Sequence, residues 1–190
     1  FKRDSMLKQP VYIHSIASIS ALGTTPTEIW ANYLHDNSLF QKLEANKKAY
    51  WVAKFSDEVT HLLNNILWSD SKYKHLDKSV VMAILVARKC FENSNFLNKN
   101  VGINFGSSRG ATTLFEKYHT DFINDGAVST FTSPATTLGN ISSWVSHDLQ
   151  SDGPEISHSI TCSTGLHALL NGIAWLQSGM CNQFLVGASE

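Results

Sequence analysis

Ser157-His158-Ser159-Ile160-Thr161-Cys162-Ser163-Thr164-Gly165-Leu166-His167 decides the fold of this chain. Upstream of it, Asp152-Gly153-Pro154 supplies turn residues, and residues 154–161 alternate apolar with polar side chains, the period of a strand. Downstream, Leu166, Leu169, Leu170, Ile173, Ala174 and Leu176 fall near the helical period, and Gly179 stands where a helix commonly stops. Cys162 is therefore expected on a tight strand-to-helix turn, at the helix N-terminus. Unpaired N–H groups and the positive end of the helix dipole at such a place favour a thiolate, which is a nucleophile. The same N–H groups can donate to a developing oxyanion, so one turn could both activate the sulfur and stabilise a tetrahedral intermediate. The competing reading of a lone cysteine at a buried turn is a small core side chain.

Moving toward the N-terminus, Leu138, Ile141, Trp144, Val145 and Leu149 mark a helix that leads into the 152–154 turn. Residues 127–137, rich in Ser and Thr, read as a long loop, a kind of segment that is often functional. Leu114, Phe115, Tyr118 and Phe122 support a helix ending near Asn124-Asp125-Gly126, and Val101, Ile103 and Phe105 start a strand after a break at 98–100. The turn from Gly106 to Gly110 holds two glycines, but it lacks the Lys-Ser/Thr ending of a phosphate-binding loop and Arg109 is its one cation, so nucleotide binding is not expected. Asp77 is a candidate N-cap for a helix whose apolar positions from Val80 to Phe91 exceed one stripe and predict deep burial.

Val59, Leu62, Leu63, Ile66 and Leu67 predict a helix over 57–68, followed by a solvated connection at 69–75. Residues 51–55 are compatible with a short strand or an extended loop. Thr25, Pro26 and Glu28 form a capping box opening a helix whose buried stripe is Ile29, Trp30, Tyr33 and Leu34, and Val11, Ile13 and Ile16 suggest a first strand. Strands and helices thus alternate, which argues for a parallel-rich sheet covered by helices.

The run Ser159 to Ala168 resembles the active-site cysteine motif of β-ketoacyl-acyl carrier protein synthases, the condensing enzymes of fatty-acid and polyketide synthesis. Val11 to Gly23 is similar to that family's opening strand and loop, and Val101 to Gly110 to its second strand and turn. Ser133-Pro134 through Asn140, then Gly153-Pro154, resemble the segments leading to the nucleophile, and Phe184 to Glu190 the strand ending in Gly-Gly-x-Glu, here Gly187-Ala188-Ser189-Glu190. The resemblance implies an α/β chain with the thiolase-like fold, a mixed, mostly parallel sheet covered by helices. Residues 1–190 would form a single domain, the N-terminal half of a longer synthase whose C-terminal half is absent from this chain.

The resemblance also implies a function. Cys162 would be the nucleophile and its backbone N–H an oxyanion donor, with Arg109, Ser133 and Asn140 as substrate-binding candidates. Arg109 stands where fatty-acid members commonly have an apolar residue near the acyl tunnel, which argues against a plain saturated acyl group. The implied reaction is decarboxylative Claisen condensation of an acyl thioester on Cys162 with a malonyl thioester, in fatty-acid, polyketide or aryl-polyene synthesis. Two histidines and a lysine of the later steps lie in the family's C-terminal half. His158 and His167 flank Cys162, and structural roles are expected for both. The implied partners are an acyl carrier protein bearing phosphopantetheine thioesters and a second synthase subunit, identical or related, that pairs through 156–161. The alternatives are a thiolase, a context that fits Cys162 less well, and a non-catalytic partner subunit like a chain-length factor, which usually lacks the cysteine.

Composition narrows the classes further. A chain of 190 residues with 43% hydrophobic content can bury a sizeable core. A formal net charge of −1 offers no footprint for nucleic acid. No apolar run approaches a membrane span, and the first residues lack a signal-peptide core, although Phe1 to Lys8 leaves open whether Met6 begins the protein. Cys90, Cys162 and Cys181 are too few and too scattered for a disulfide framework, which fits a reducing cytoplasm. No close His/Cys pairing suggests zinc, no cofactor is implied, and no Gly-x-Ser-x-Gly elbow points to a serine hydrolase.

Overall fold

The computed structural model of the protein describes residues 10–94 and 100–190. Their elements, in chain order, are α1 (Pro26–Leu34), β1 (Phe40–Ala45), β2 (Lys48–Ala53), α2 (Asp57–Ser69), α3 (Lys78–Glu92), β3 (Val101–Gly106), α4 (Thr112–Asp125), α5 (Thr132–Thr136), α6 (Asn140–Leu149), β4 (Glu155–His158), α7 (Thr164–Gln177) and β5 (Gln183–Ala188). The strands β4, β3 and β5 form one parallel sheet in that order, and β1 with β2 forms a separate antiparallel hairpin.

β3 is the organising strand, and every one of its residues is buried. Val101, Ile103 and Phe105 join the main core with Val80, Ile84, Ile141 and Val145 from α3 and α6. The alternate positions are Gly102, Asn104 and Gly106, which serve the opposite face, where α7 packs. A Cβ on Gly102 would strike the Phe184 ring, and one on Gly106 would overlap Thr164 and come within 2.8 Å of the His158 carbonyl oxygen. Period-two alternation here separates bulky from small residues, and the small face lets α7 approach the sheet closely.

The helix signals act as their chemistry dictates. Asp77 caps α3 by accepting from the Ser79 N–H at 2.9 Å, and α3 is buried along most of its length. Ser56 caps α2. Thr25 accepts from the Glu28 N–H, while the Glu28 carboxylate reaches back to the Thr24 N–H at 2.8 Å, one residue earlier than a reciprocal box requires. Gly126 closes α4 in the left-handed conformation, and Gln150 does the same for α6, so α6 stops before the 152–154 turn.

Several expectations are corrected. Residues 11–16 form no strand: they pair with no strand of either sheet, they line a cavity of about 820 Å³ together with residues of β5, and Tyr12, Ile13 and Ile16 are exposed. The stripe expected on α1 is not buried; Trp30, Tyr33 and Leu34 face out, and the Trp30 and Tyr33 rings stack on each other at 6.1 Å. Of the two readings of 51–55, the strand holds for Trp51 to Ala53, which end β2, and its partner β1 is joined to it through Asn46 and Lys47, both at positive φ. The 69–75 connection is not wholly solvated, because a 3-10 turn at Ser71–Tyr73 buries Tyr73. The 127–137 loop contains the short helix α5, and the strand before Cys162 ends at His158 rather than at Thr161. The expectations for Phe1 to Lys8 and Asn98 fall outside the described residues. No helix among the described residues is long and apolar enough to cross a membrane.

Candidate active site

The turn between β4 and α7 is held by a dense set of hydrogen bonds. Thr161 has φ +47°, a left-handed conformation costly for a β-branched residue. Thr164 holds it there. The Thr164 N–H and hydroxyl both donate to the Thr161 carbonyl, at 3.1 and 2.6 Å, while the same hydroxyl accepts from the Ile160 N–H at 2.9 Å. Ser163 is the residue before the helix, and its N–H and hydroxyl both donate to the Ile160 carbonyl. The chain thus reverses sharply at 160–164, and Cys162 is left at the tip with its side chain exposed.

The donors of this turn sort themselves. Ser163 and Thr164 N–H groups are used within the turn, whereas the Cys162 N–H meets no protein acceptor among the described residues. An exposed sulfur beside an available N–H at the start of a 14-residue helix is an arrangement suited to attack on a carbonyl and to holding the resulting oxyanion. The other thiols are placed differently. Cys90 is half-buried in α3, and Cys181 is buried, which pushes its thiol above the ordinary value.

His158 and His167 both have ring nitrogens committed to the scaffold. His158 Nδ1 lies 3.0 Å from Asn104 Oδ1 and its Nε2 3.0 Å from the Thr164 carbonyl oxygen. His167 Nδ1 lies 3.0 Å from the Ser163 carbonyl oxygen within its own helix.

The turn at 107–110 is fastened beside the strand and turn that lead to Cys162. Ser159 Oγ donates to the Ser108 carbonyl at 2.9 Å, Ser107 N–H donates to the His158 carbonyl, and the Ser108 N–H donates to the Glu190 carboxylate. Arg109 is exposed on this turn and has no acidic partner among the described residues. Ser133 is exposed on α5. Asn140 is buried instead, and its Nδ2 donates to the Ala135 carbonyl at 2.9 Å, closing the link between α5 and α6. Leu138 from that link comes close to Gly110, so the loop carrying Ser133 borders the turn carrying Arg109. The sequence reading singled out Cys162 and missed Thr161, Thr164 and Asn104. The available signal was an amide in the middle of an apolar strand.

The sequence profile described as "Beta-ketoacyl synthase, N-terminal domain" matches residues 8–190. The chain is 23% identical over 192 residues to 3-oxoacyl-[acyl-carrier-protein] synthase 2 of Coxiella burnetii, covering 97% of this chain and 46% of that one. It is 24% identical to the protein of the same description from Vibrio cholerae, with the same coverage. The chain therefore spans about half the length of the curated relatives it matches. Among solved structures, a β-ketoacyl synthase from Burkholderia phymatum superposes with a TM-score of 0.72 at 15% identity, over 92% of this chain and 45% of the other. The ishigamide ketosynthase/chain length factor superposes with a TM-score of 0.77 at 15% identity, over 94% and 52%. A type II polyketide ketosynthase solved with its acyl-carrier protein, AntDE:AntF, gives 0.69 at 15%, over 94% and 44%. These structural likenesses establish the thiolase-like α/β fold.

Proposed function

The chain belongs to the β-ketoacyl synthase family, whose N-terminal domain it carries, and from that premise we propose that it is the nucleophile-bearing part of a 3-oxoacyl-acyl carrier protein synthase. The observation that carries the reading is the exposed Cys162 on a strained turn with its own N–H available. The Cys162 thiolate attacks the carbonyl carbon of an acyl thioester, and the Cys162 N–H donates to the oxyanion that forms. Collapse of the tetrahedral intermediate makes the acyl–Sγ bond and releases the carrier thiolate, which takes up the proton lost by Cys162. A malonyl thioester then loses carbon dioxide, and its carbanion attacks the acyl carbonyl and expels the Cys162 thiolate, giving the β-ketoacyl product. By the family resemblance, the histidines and lysine of this second stage come from outside residues 1–190.

The partner of the first stage is an acyl carrier protein bearing its acyl group on phosphopantetheine, and the setting is the cytoplasm. The exposed Arg109, on a turn bonded to the nucleophile strand, selects acyl groups with a polar or anionic end, and Ser133 borders the same opening. β4 is an edge of the described sheet, with Ile156 exposed on it and Ile160 exposed just beyond its end, and it pairs with a second synthase subunit.

The test is intact mass of the protein expressed from its native reading frame, before and after incubation with a short acyl thioester. One acyl adduct, lost in Cys162→Ala, is expected. Absence of an adduct on the wild-type protein would overturn the enzyme reading and favour a non-catalytic subunit of the chain-length-factor kind.

A further inference from the structure

Asn104 is fully buried, with 0% exposure, in the middle of the central strand. Its Nδ2 has no partner, while its Oδ1 faces His158 Nδ1 at 3.0 Å. The other ring nitrogen of His158 faces the Thr164 carbonyl, again an acceptor. With the amide in that orientation the ring must carry two protons and a charge in a half-buried site, and an NH₂ group with two donors is stranded beside it, both costly. A half-turn of the amide relieves the charge and eases the second cost, because Nδ2 then donates one of its two protons to Nδ1, leaving one N–H and a carbonyl oxygen, the less expensive group to leave unpaired, in place of two stranded donors. The ring is then neutral, with its proton on Nε2 and donated to Thr164.

Thr164 is the residue this bond reaches, and it holds Thr161 in its left-handed conformation through two bonds to the Thr161 carbonyl. Gly106 makes the arrangement possible. It is paired in register with His158, and any Cβ there would overlap Thr164 and press on the His158 backbone. The missing side chain at 106 leaves the space through which the ring reaches Asn104 two residues away along β3.

We propose that His158, oriented by Asn104, is a positioning residue for Cys162: it fixes Thr164, and through Thr164 the strained backbone that presents the sulfur. The inference rests on the reading of Cys162 as the nucleophile, and its ring touches neither the sulfur nor a reacting group. His158→Leu removes the donor to Thr164 and the acceptor for Asn104 while filling similar space. His158→Gln keeps one donor and one acceptor.

The measurement is the rate of Cys162 alkylation by iodoacetamide, read peptide by peptide so that Cys90 and Cys181 are separated, with thermal unfolding alongside. It uses the protein expressed from its native reading frame. His158→Leu is expected to slow Cys162 by about tenfold or more and His158→Gln to restore it to within about threefold, with unfolding temperatures within a few degrees of wild type. Wild-type alkylation in His158→Leu, or an equal loss in both variants, overturns the proposal. Should His158→Leu not fold, nitrogen-15 spectra of the wild-type ring decide it: a neutral ring protonated on Nε2 at neutral pH is expected, and a doubly protonated or Nδ1-protonated ring overturns it. Failure of the synthase reading shows itself separately, as a wild-type protein that is alkylated but takes no acyl group.

Discussion

Among the polar networks of the described residues, two fasten different things. In the first, the Asp148 carboxylate accepts from Arg88 Nε and Nη2 at 2.8 and 2.7 Å and from the Tyr73 hydroxyl at 2.6 Å. It ties α3, α6 and the 71–73 turn, elements whose apolar faces are already buried together. In the second, Asn104, His158 and Thr164 converge on a single strained residue, Thr161. Charge sits in the network that joins rigid bodies, where a bidentate pair adds to an existing interface. Amide, imidazole and hydroxyl groups sit where the backbone is held in an unfavourable conformation. One network therefore governs stability and the other governs geometry, and substitutions can separate the two.

The largest effect is expected from Asp148→Ala, which removes both bonds to Arg88 and the one from Tyr73. Its side chain is 2% exposed while that of Arg88 is 37% exposed and can regain water, so the loss is about 3 kcal/mol rather than the upper range for fully buried pairs. Denaturant unfolding reads that loss, and Cys162 alkylation should stay within about twofold of wild type. Thr164→Val reverses the profile. It keeps the shape but removes the hydroxyl that bridges Ile160 and Thr161, at a cost of about 1–2 kcal/mol, and Cys162 alkylation should fall about tenfold or more. A Thr164→Val protein with unchanged Cys162 reactivity would erase the distinction between the two networks.

The smallest effect is expected from Tyr73→Phe, about 1 kcal/mol at neutral pH. Burial first, and the bond to Asp148 second, hold the Tyr73 hydroxyl above its ordinary value of 10.0. A raised value in the folded state means that this contribution is fully present below pH 10.0 and is lost as pH rises through the higher folded value. The alkaline fall of the wild-type stability curve should therefore flatten in Tyr73→Phe, measured as unfolding midpoint against pH.

Features written in contiguous residues were legible in the sequence. The caps at Thr25 and Asp77, the strand at 101–106 and the strand-to-helix turn around Cys162 each depend on a local pattern. The hairpin turn was hidden because Asn46-Lys47 lacks the glycine that usually announces positive φ. The stripe on α1 misled because helical period reports which residues share a face, not whether that face meets a partner among the described residues. The segment 11–16 has strand-like composition, but a strand exists only where a second backbone lies beside it. The second polar network was invisible for a related reason. Asn104 and His158 are 54 positions apart and meet only because a parallel register sets Gly106 beside His158.

The placement of β3 between two parallel neighbours carries a kinetic consequence. Its Ile103 and Phe105 amides are bonded on the β4 side, to the Pro154 carbonyl and to Ser142 Oγ, and its other edge is covered by β5 along the whole strand. Solvent can reach those protons only when the sheet itself comes apart, so their deuterium uptake should report global unfolding. Amides on the outer edge of β5, which faces the cavity, need no such opening and should exchange early. The order of deuteration across three adjacent strands would then measure how far the middle of this sheet is insulated from events at its rim.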